Sequence, residues 1–124
     1  MAYRALSPSL RSQLDPLDAV HDLAKAFPPQ HRAVHDSGAD KYAEKMKANR
    51  QVLHPVVQTH PEAGEDCLFV IEGFTTAIKG LAKKESEDLL AFLLAHVNRL
   101  EFSVRWRWKP NTLVMWDNGC TQHW

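Results

Sequence analysis

Residues 54–76 read HPVVQTHPEAGEDCLFVIEGFTT, and this stretch decides the fold. Pro55-Val56-Val57-Gln58-Thr59 is β-prone, and so is Cys67-Leu68-Phe69-Val70-Ile71. Between them His60-Pro61-Glu62-Ala63-Gly64 supplies the proline and glycine of a turn. Two such runs flanking a turn predict a hairpin. Gly73-Phe74-Thr75-Thr76 then reads as a loop leading into Ala77-Ile78.

Towards the C-terminus, residues 83–98 predict a helix. Leu89, Leu90, Leu93, Leu94 and Val97 share one face, with Phe92 at its edge. Glu85, Glu87 and Asp88 suit the positive end of the helix dipole, whereas Lys83 and Lys84 do not. Phe102 to Trp108 alternates strictly, with Val104, Trp106 and Trp108 on one side and Arg105 and Arg107 on the other. That is the pattern of a half-buried strand. Lys109-Pro110-Asn111 is a turn, and 112–116 reads as the returning strand. The chain then closes on WDNGCTQHW, residues 116–124. This places His123 behind an Asp117-Asn118-Gly119 turn, a stiff mount that suits a ligand. By spacing alone it is an ordinary histidine.

Towards the N-terminus, Ser7-Pro8 is a helix start, a capping serine followed by a first-turn proline. Leu10, Leu14, Leu17 and Val20/His21 follow at helical spacing, with a break or kink expected at Pro16 and an end at Phe27-Pro28-Pro29. Residues 30–53 are polar and charged and read as a surface excursion, within which 39–50 can form a helix.

The 124 residues are enough for one small domain, and 44% are hydrophobic, so a core is expected. Fifteen basic and fifteen acidic side chains cancel, which gives no support to a nucleic-acid partner. The apolar runs are short of the about 20 residues that span a membrane, and the N-terminus lacks the apolar core of a signal peptide. A cytoplasmic location follows as an expectation, with Cys67 and Cys120 as free thiols.

Several constellations invite chemistry. Arg105-Trp106-Arg107-Trp108 interleaves basic and aromatic residues, as single-strand binders do, but alternation puts the two kinds on opposite faces, and core tryptophans are the better reading. His60-Pro61-Glu62 with a distant His123 has the form of a non-haem iron triad, yet Pro61 and Gly64 favour a turn. His31 and His35 are four apart but lack an HExxH context, and His21, His54 and His96 have no ligand partners at useful spacing, so all five read as surface histidines.

The wording of three blocks carries more than their spacing. AYRALSPSLRSQLDPLDAVHD at 2–22, HPVVQTHPEAGEDCLFVIEGFTT at 54–76 and EFSVRWRWKPNTLVMWDNGCTQH at 101–123 resemble the taurine/2-oxoglutarate-dependent dioxygenases in order and distance. The resemblance implies an α+β chain forming part of a double-stranded β-helix (jelly roll) with flanking helices, incomplete at both ends. It would be a single partial domain, with 1–53 the helical part and surface excursion and 54–124 the β-rich part. It implies an oxidoreductase that uses Fe(II) and 2-oxoglutarate to hydroxylate the carbon beside a sulfonate, releasing sulfite. By the same resemblance His123 matches the distal iron ligand, Trp116 a residue beside 2-oxoglutarate, and Phe74 and Phe27 aromatics of the substrate pocket; for each aromatic, core packing is the ordinary alternative.

The departures matter equally. The family's His-x-Asp lies upstream of AYRALS and its 2-oxoglutarate-binding arginine downstream of the distal histidine, while Asp117-Asn118-Gly119 stands where the family has Asp-Asn-Arg. The expectation is therefore an internal segment of a larger enzyme. By itself it would have no catalytic residue, retain neither iron nor 2-oxoglutarate, and turn nothing over. A homo- or hetero-oligomer with an intact relative is the expected alternative role.

Overall fold

The computed structural model describes residues 1–28, 39–48 and 51–123. The hairpin forms where the sequence predicts it. Val57–Thr59 (β3) and Asp66–Leu68 (β4) pair antiparallel, with Val57 opposite Leu68 and Thr59 opposite Asp66. The His60 N–H donates to Glu65 O at 2.8 Å, and Gly64 takes φ +65°, a left-handed conformation that glycine enters without a Cβ clash.

A second sheet has the order β2-β1-β5, all antiparallel: Val52–Pro55 (β2), Asp18–His21 (β1) and Thr75–Ile78 (β5). Here the helical reading of Leu17 and Val20/His21 is corrected. Ser7 caps α1 (Pro8–Leu14) by accepting from the Leu10 N–H at 3.3 Å, but the helix ends at Leu14. Pro16 cannot continue it. Beyond the turn Ala19 and His21 alternate inward with period 2, and neighbours on both sides satisfy the β1 backbone. Tertiary pairing therefore overrides a spacing that fits a helix, and β1 lies inside the part expected to be helical.

Among the described residues, β1 is followed by Leu23–Ala26 (α2), capped by Asp22 Oδ1 accepting from the Ala24 N–H at 2.8 Å, and by Ala39–Ala48 (α3). The surface excursion ends earlier than expected, because β2 begins at Val52. His31, His35 and Trp124 lie outside the described residues.

The long helix α4 (Lys83–Val97) closes the core. Leu90 and Leu93 are buried with Tyr3, Leu6, Leu14, Ala19, Val56, Leu68, Val70 and Ile78. The two lysines at its start are offset by pairs one turn on, Lys83 with Glu87 at 4.0 Å and Lys84 with Asp88 at 2.6 Å. Two buried polar groups dock the helix. Ser86 Oγ accepts from the Ile78 N–H at 2.8 Å, and the His96 Nε2 donates to Ala2 O at 2.9 Å. His96 is thus a packed residue and not a surface histidine.

Beyond a 3₁₀ turn at Leu100–Phe102, the described residues form no further strand. This corrects the expected strands over 102–108 and 112–116. The turn between them is present, with Thr112 N donating to Lys109 O at 3.2 Å and Asn111 at φ 63°. The flanking runs have no ladder. Val104 is 92% exposed, Trp106 61% and Trp108 65%, so the face read as core meets solvent. A period-2 pattern states which face a strand would bury, and a neighbouring strand is still needed to make it one.

Candidate functional site

The segment after Trp116 is fastened to the hairpin side chain by side chain. Asp117 Oδ1 accepts from the Gly119 N–H at 2.6 Å, and Asp117 O accepts from the Thr121 N–H at 3.0 Å and from the Thr121 hydroxyl. These bonds close the turn that the sequence predicts. Asp117 Oδ2 accepts from His60 Nε2 at 2.9 Å, and Gln122 Nε2 donates to Val70 O at 2.8 Å. The Gly119 N–H and, secondarily, His60 hold the Asp117 carboxyl below its ordinary pKa. Trp116 Nε1 donates to Asn118 Oδ1 at 2.8 Å, and its ring meets that of His123 at 4.5 Å between centroids. The structure thus brings together Trp116 and His123, two of the four residues singled out in the sequence.

His60, Asp117 and Cys120 bring ligand-type atoms within 4.8 Å of one another. The sequence pairs His60 with Glu62 and His123 instead. Among the described residues those three form no such group. The observed cluster also does not suit a cation. His60 Nδ1 accepts from Glu62 N at 3.2 Å and Ala63 N at 3.0 Å, so its lone pair is taken. The neutral ring then carries its proton on Nε2, which donates to Asp117 and offers a metal no lone pair. His123 belongs to no group of three such ligands among the described residues. Among the described residues no group of two histidines and a carboxylate comes together.

Phe74 lies elsewhere, on the wall of a cavity of about 500 Å³ that is also lined by His21, Asp22, Lys47 and His54. Phe27 is not on that wall. It ends α2, where its carbonyl accepts from Tyr42 Oη at 2.9 Å and its ring lies 5.8 Å from Lys45 Nζ. At the cavity His21, His54 and Phe69 form a three-ring cluster: His21 is 5.3 Å from Phe69 and 4.9 Å from His54, with His54 5.2 Å from Phe69. Cavity and tail meet on consecutive residues, since Phe69 joins the ring cluster while Val70 O holds Gln122. The sequence reading missed His21 and His54 by treating them as surface residues. The alternation of Ala19 and His21 is the signal that points His21 inward.

Burial, then His54, lowers the His21 pKa against the opposing effect of a backbone hydrogen bond at Phe69. The folded state therefore binds a proton at His21 less readily than the unfolded chain. Its stabilising contribution is full above the unfolded value near 6.5 and is lost as pH falls through the lower folded value. Urea midpoints at pH 7.5, 6.5 and 5.5 are expected to fall in that order. His21→Gln should flatten the part of the slope due to this ring, and an unchanged slope would remove His21 as its source.

The sequence profile described as "Taurine catabolism dioxygenase TauD, TfdA family" matches residues 1–124. An alpha-ketoglutarate-dependent dioxygenase, cnsM, of Penicillium expansum is 39% identical over 98% of this chain and 33% of its own length. An alpha-ketoglutarate-dependent sulfate ester dioxygenase of Pseudomonas putida is 35% identical over 98% of this chain and 40% of its own length. The crystal structure of a taurine dioxygenase from Burkholderia xenovorans superposes with TM-score 0.65 at 35% identity, over 87% of this chain and 31% of that one. The chain thus spans between a third and two fifths of the length of these curated relatives.

Proposed function

Since this chain belongs to the taurine catabolism dioxygenase TauD, TfdA family, we propose that it is a single partial domain of an Fe(II)- and 2-oxoglutarate-dependent dioxygenase of the sulfonate type. The parent fold would be a jelly roll, and the parent reaction a hydroxylation beside a sulfonate or similar acid that releases sulfite and leaves succinate and carbon dioxide. The observation that carries this reading is the match of the family profile to every residue of the chain. The contact of Trp116 with His123 supports the assignment of His123 to the metal and of Trp116 to the 2-oxoglutarate side. The place of Phe74 on a cavity wall supports a substrate role for it, and Phe27 keeps its proposed role on the resemblance alone. No helix among the described residues is long and apolar enough to cross a membrane. A cytoplasmic enzyme remains our proposal.

These 124 residues are proposed to be inactive by themselves, because a lone histidine does not hold ferrous iron in a facial site and no arginine clamp for 2-oxoglutarate has been assigned among them. With ferrous iron, 2-oxoglutarate and taurine, the purified chain is expected to release no succinate above the protein-free rate, and turnover would overturn this. The dioxygenase reading itself is tested by sequencing the flanking DNA and expressing any longer reading frame. That longer protein should release succinate, and His123→Ala should abolish the release.

A second reading, a non-catalytic subunit of an intact relative, is favoured by the bare face of Val104, Trp106 and Trp108. Co-purification of the chain with a full-length family member tests it.

A further inference from the structure

The turn at 117–120 lies against the hairpin at Cys67 as well as at His60. Cys67 Sγ donates to Gln58 O across the β3–β4 pair at 3.1 Å, and it also approaches Gly119 O at 3.7 Å. Gly119 is joined to Cys120. A planar trans peptide fixes a carbonyl oxygen about 2.8 Å from the next Cα. The Cys67 sulfur therefore lies within about 6.5 Å of the Cys120 Cα. The Cys67 Cα lies about 2.8 Å from its own sulfur, so the two Cα atoms are within about 9.3 Å. A disulfide holds them about 4.4–6.8 Å apart, so this exposed turn has to close by no more than about 2.5 Å to reach the upper end of that range. Both thiols are free, Cys67 half-buried and Cys120 exposed. The fixed tautomer of His60 removes the competing use of Cys120 as one of three metal ligands.

We propose that Cys67 and Cys120 form an intramolecular disulfide that locks the segment from Asp117 to Gln122 onto the β3–β4 hairpin. The oxidant is a small-molecule disulfide such as oxidised glutathione. The exposed Cys120 thiolate attacks one sulfur of the oxidant, its S–S bond breaks, and one glutathione thiolate leaves. The Cys67 thiolate then attacks Cys120 Sγ, and the second glutathione thiolate leaves. Two cysteine thiols are oxidised, one glutathione disulfide is reduced, and the two protons end on the glutathione thiols. Burial, and after it the neighbouring Cys120, pushes the Cys67 thiol above its ordinary value. That assigns the first attack to Cys120 and the resolving role to Cys67. The inference does not depend on iron or on the dioxygenase reading.

The test incubates the purified 124-residue chain with oxidised glutathione, in native buffer and in guanidinium, blocks residual thiols with a maleimide and maps tryptic peptides by mass spectrometry. In native buffer the peptides bearing Cys67 and Cys120 should be recovered joined, their summed mass less two hydrogens. The joined fraction should exceed that in guanidinium by about ten-fold, because the fold holds the thiols at high effective concentration. Cys120→Ser should leave Cys67 unoxidised. Glutathione retained on Cys120, chains linked to one another, or equal joining in guanidinium would each overturn the proposal.

Discussion

Leu93→Ala lowers the free energy of unfolding by about 2–5 kcal/mol. Leu93 is fully buried at the centre of α4 and packs in the cluster that holds Leu14, Val56, Val70 and Ile78. Those partners come from α1, from between β2 and β3, from beyond β4, and from β5. They cannot all collapse into the space that three lost carbon atoms leave, so a cavity term adds to the transfer term. Against a total of about 5–15 kcal/mol for a domain, the loss is a large fraction of stability. The urea midpoint reports it, with Phe92→Ala as the companion. Phe92 is 48% exposed one residue away and should cost under about 1 kcal/mol. Equal effects at both positions would mean that α4 does not dock by the face described.

Thr75→Val is expected to cost about 1–3 kcal/mol despite its matched shape. The hydroxyl of Thr75, 1% exposed, accepts from the Ile71 N–H at 2.8 Å and meets His21 Nε2 at 3.2 Å. With the Ile71 N–H already donating to it, the hydroxyl has its own proton to give to the imidazole. Valine leaves a backbone donor and a ring nitrogen unpartnered where water reaches poorly. Thr75→Ser keeps the hydroxyl and should recover most of the loss, which separates the hydrogen bonds from the packing of the methyl group. The mutant midpoints in urea at pH 7.5 carry the comparison, and a valine variant as stable as the parent would remove the hydroxyl from the account.

The central hairpin and the long helix were legible because each is set by local chemistry. Gly64 can take a positive φ, and five aliphatic residues of α4 repeat at helical spacing. Strand β1 was not legible, because four residues between a proline and a capping aspartate have too few periods to separate 2 from 3.6. Its two partners, which decide the matter, lie far along the chain. The run from Phe102 to Trp108 shows the converse. Its pattern is unambiguous, and no ladder forms among the described residues, since pattern specifies a face and not a neighbour. At the candidate site the sequence found the turn that carries His123 but not its anchors. His60 and Cys67 hold that turn from the hairpin, and Val70, just beyond β4, holds Gln122, through contacts with no sequence spacing to betray them.

The order β2-β1-β5 also sets a timetable. The middle strand of this sheet is the first to be synthesised, and its last partner is not complete until Ile78. One edge of β1 therefore stays open for about thirty residues of nascent chain, until β2 follows, and the other for nearly sixty, until β5 closes the sheet. Loop-closure entropy falls due ahead of the contacts that offset it, which makes folding slow for so short a chain. Through that interval the unpaired edges of β1 are the places where a chaperone, or another copy of the chain, engages first.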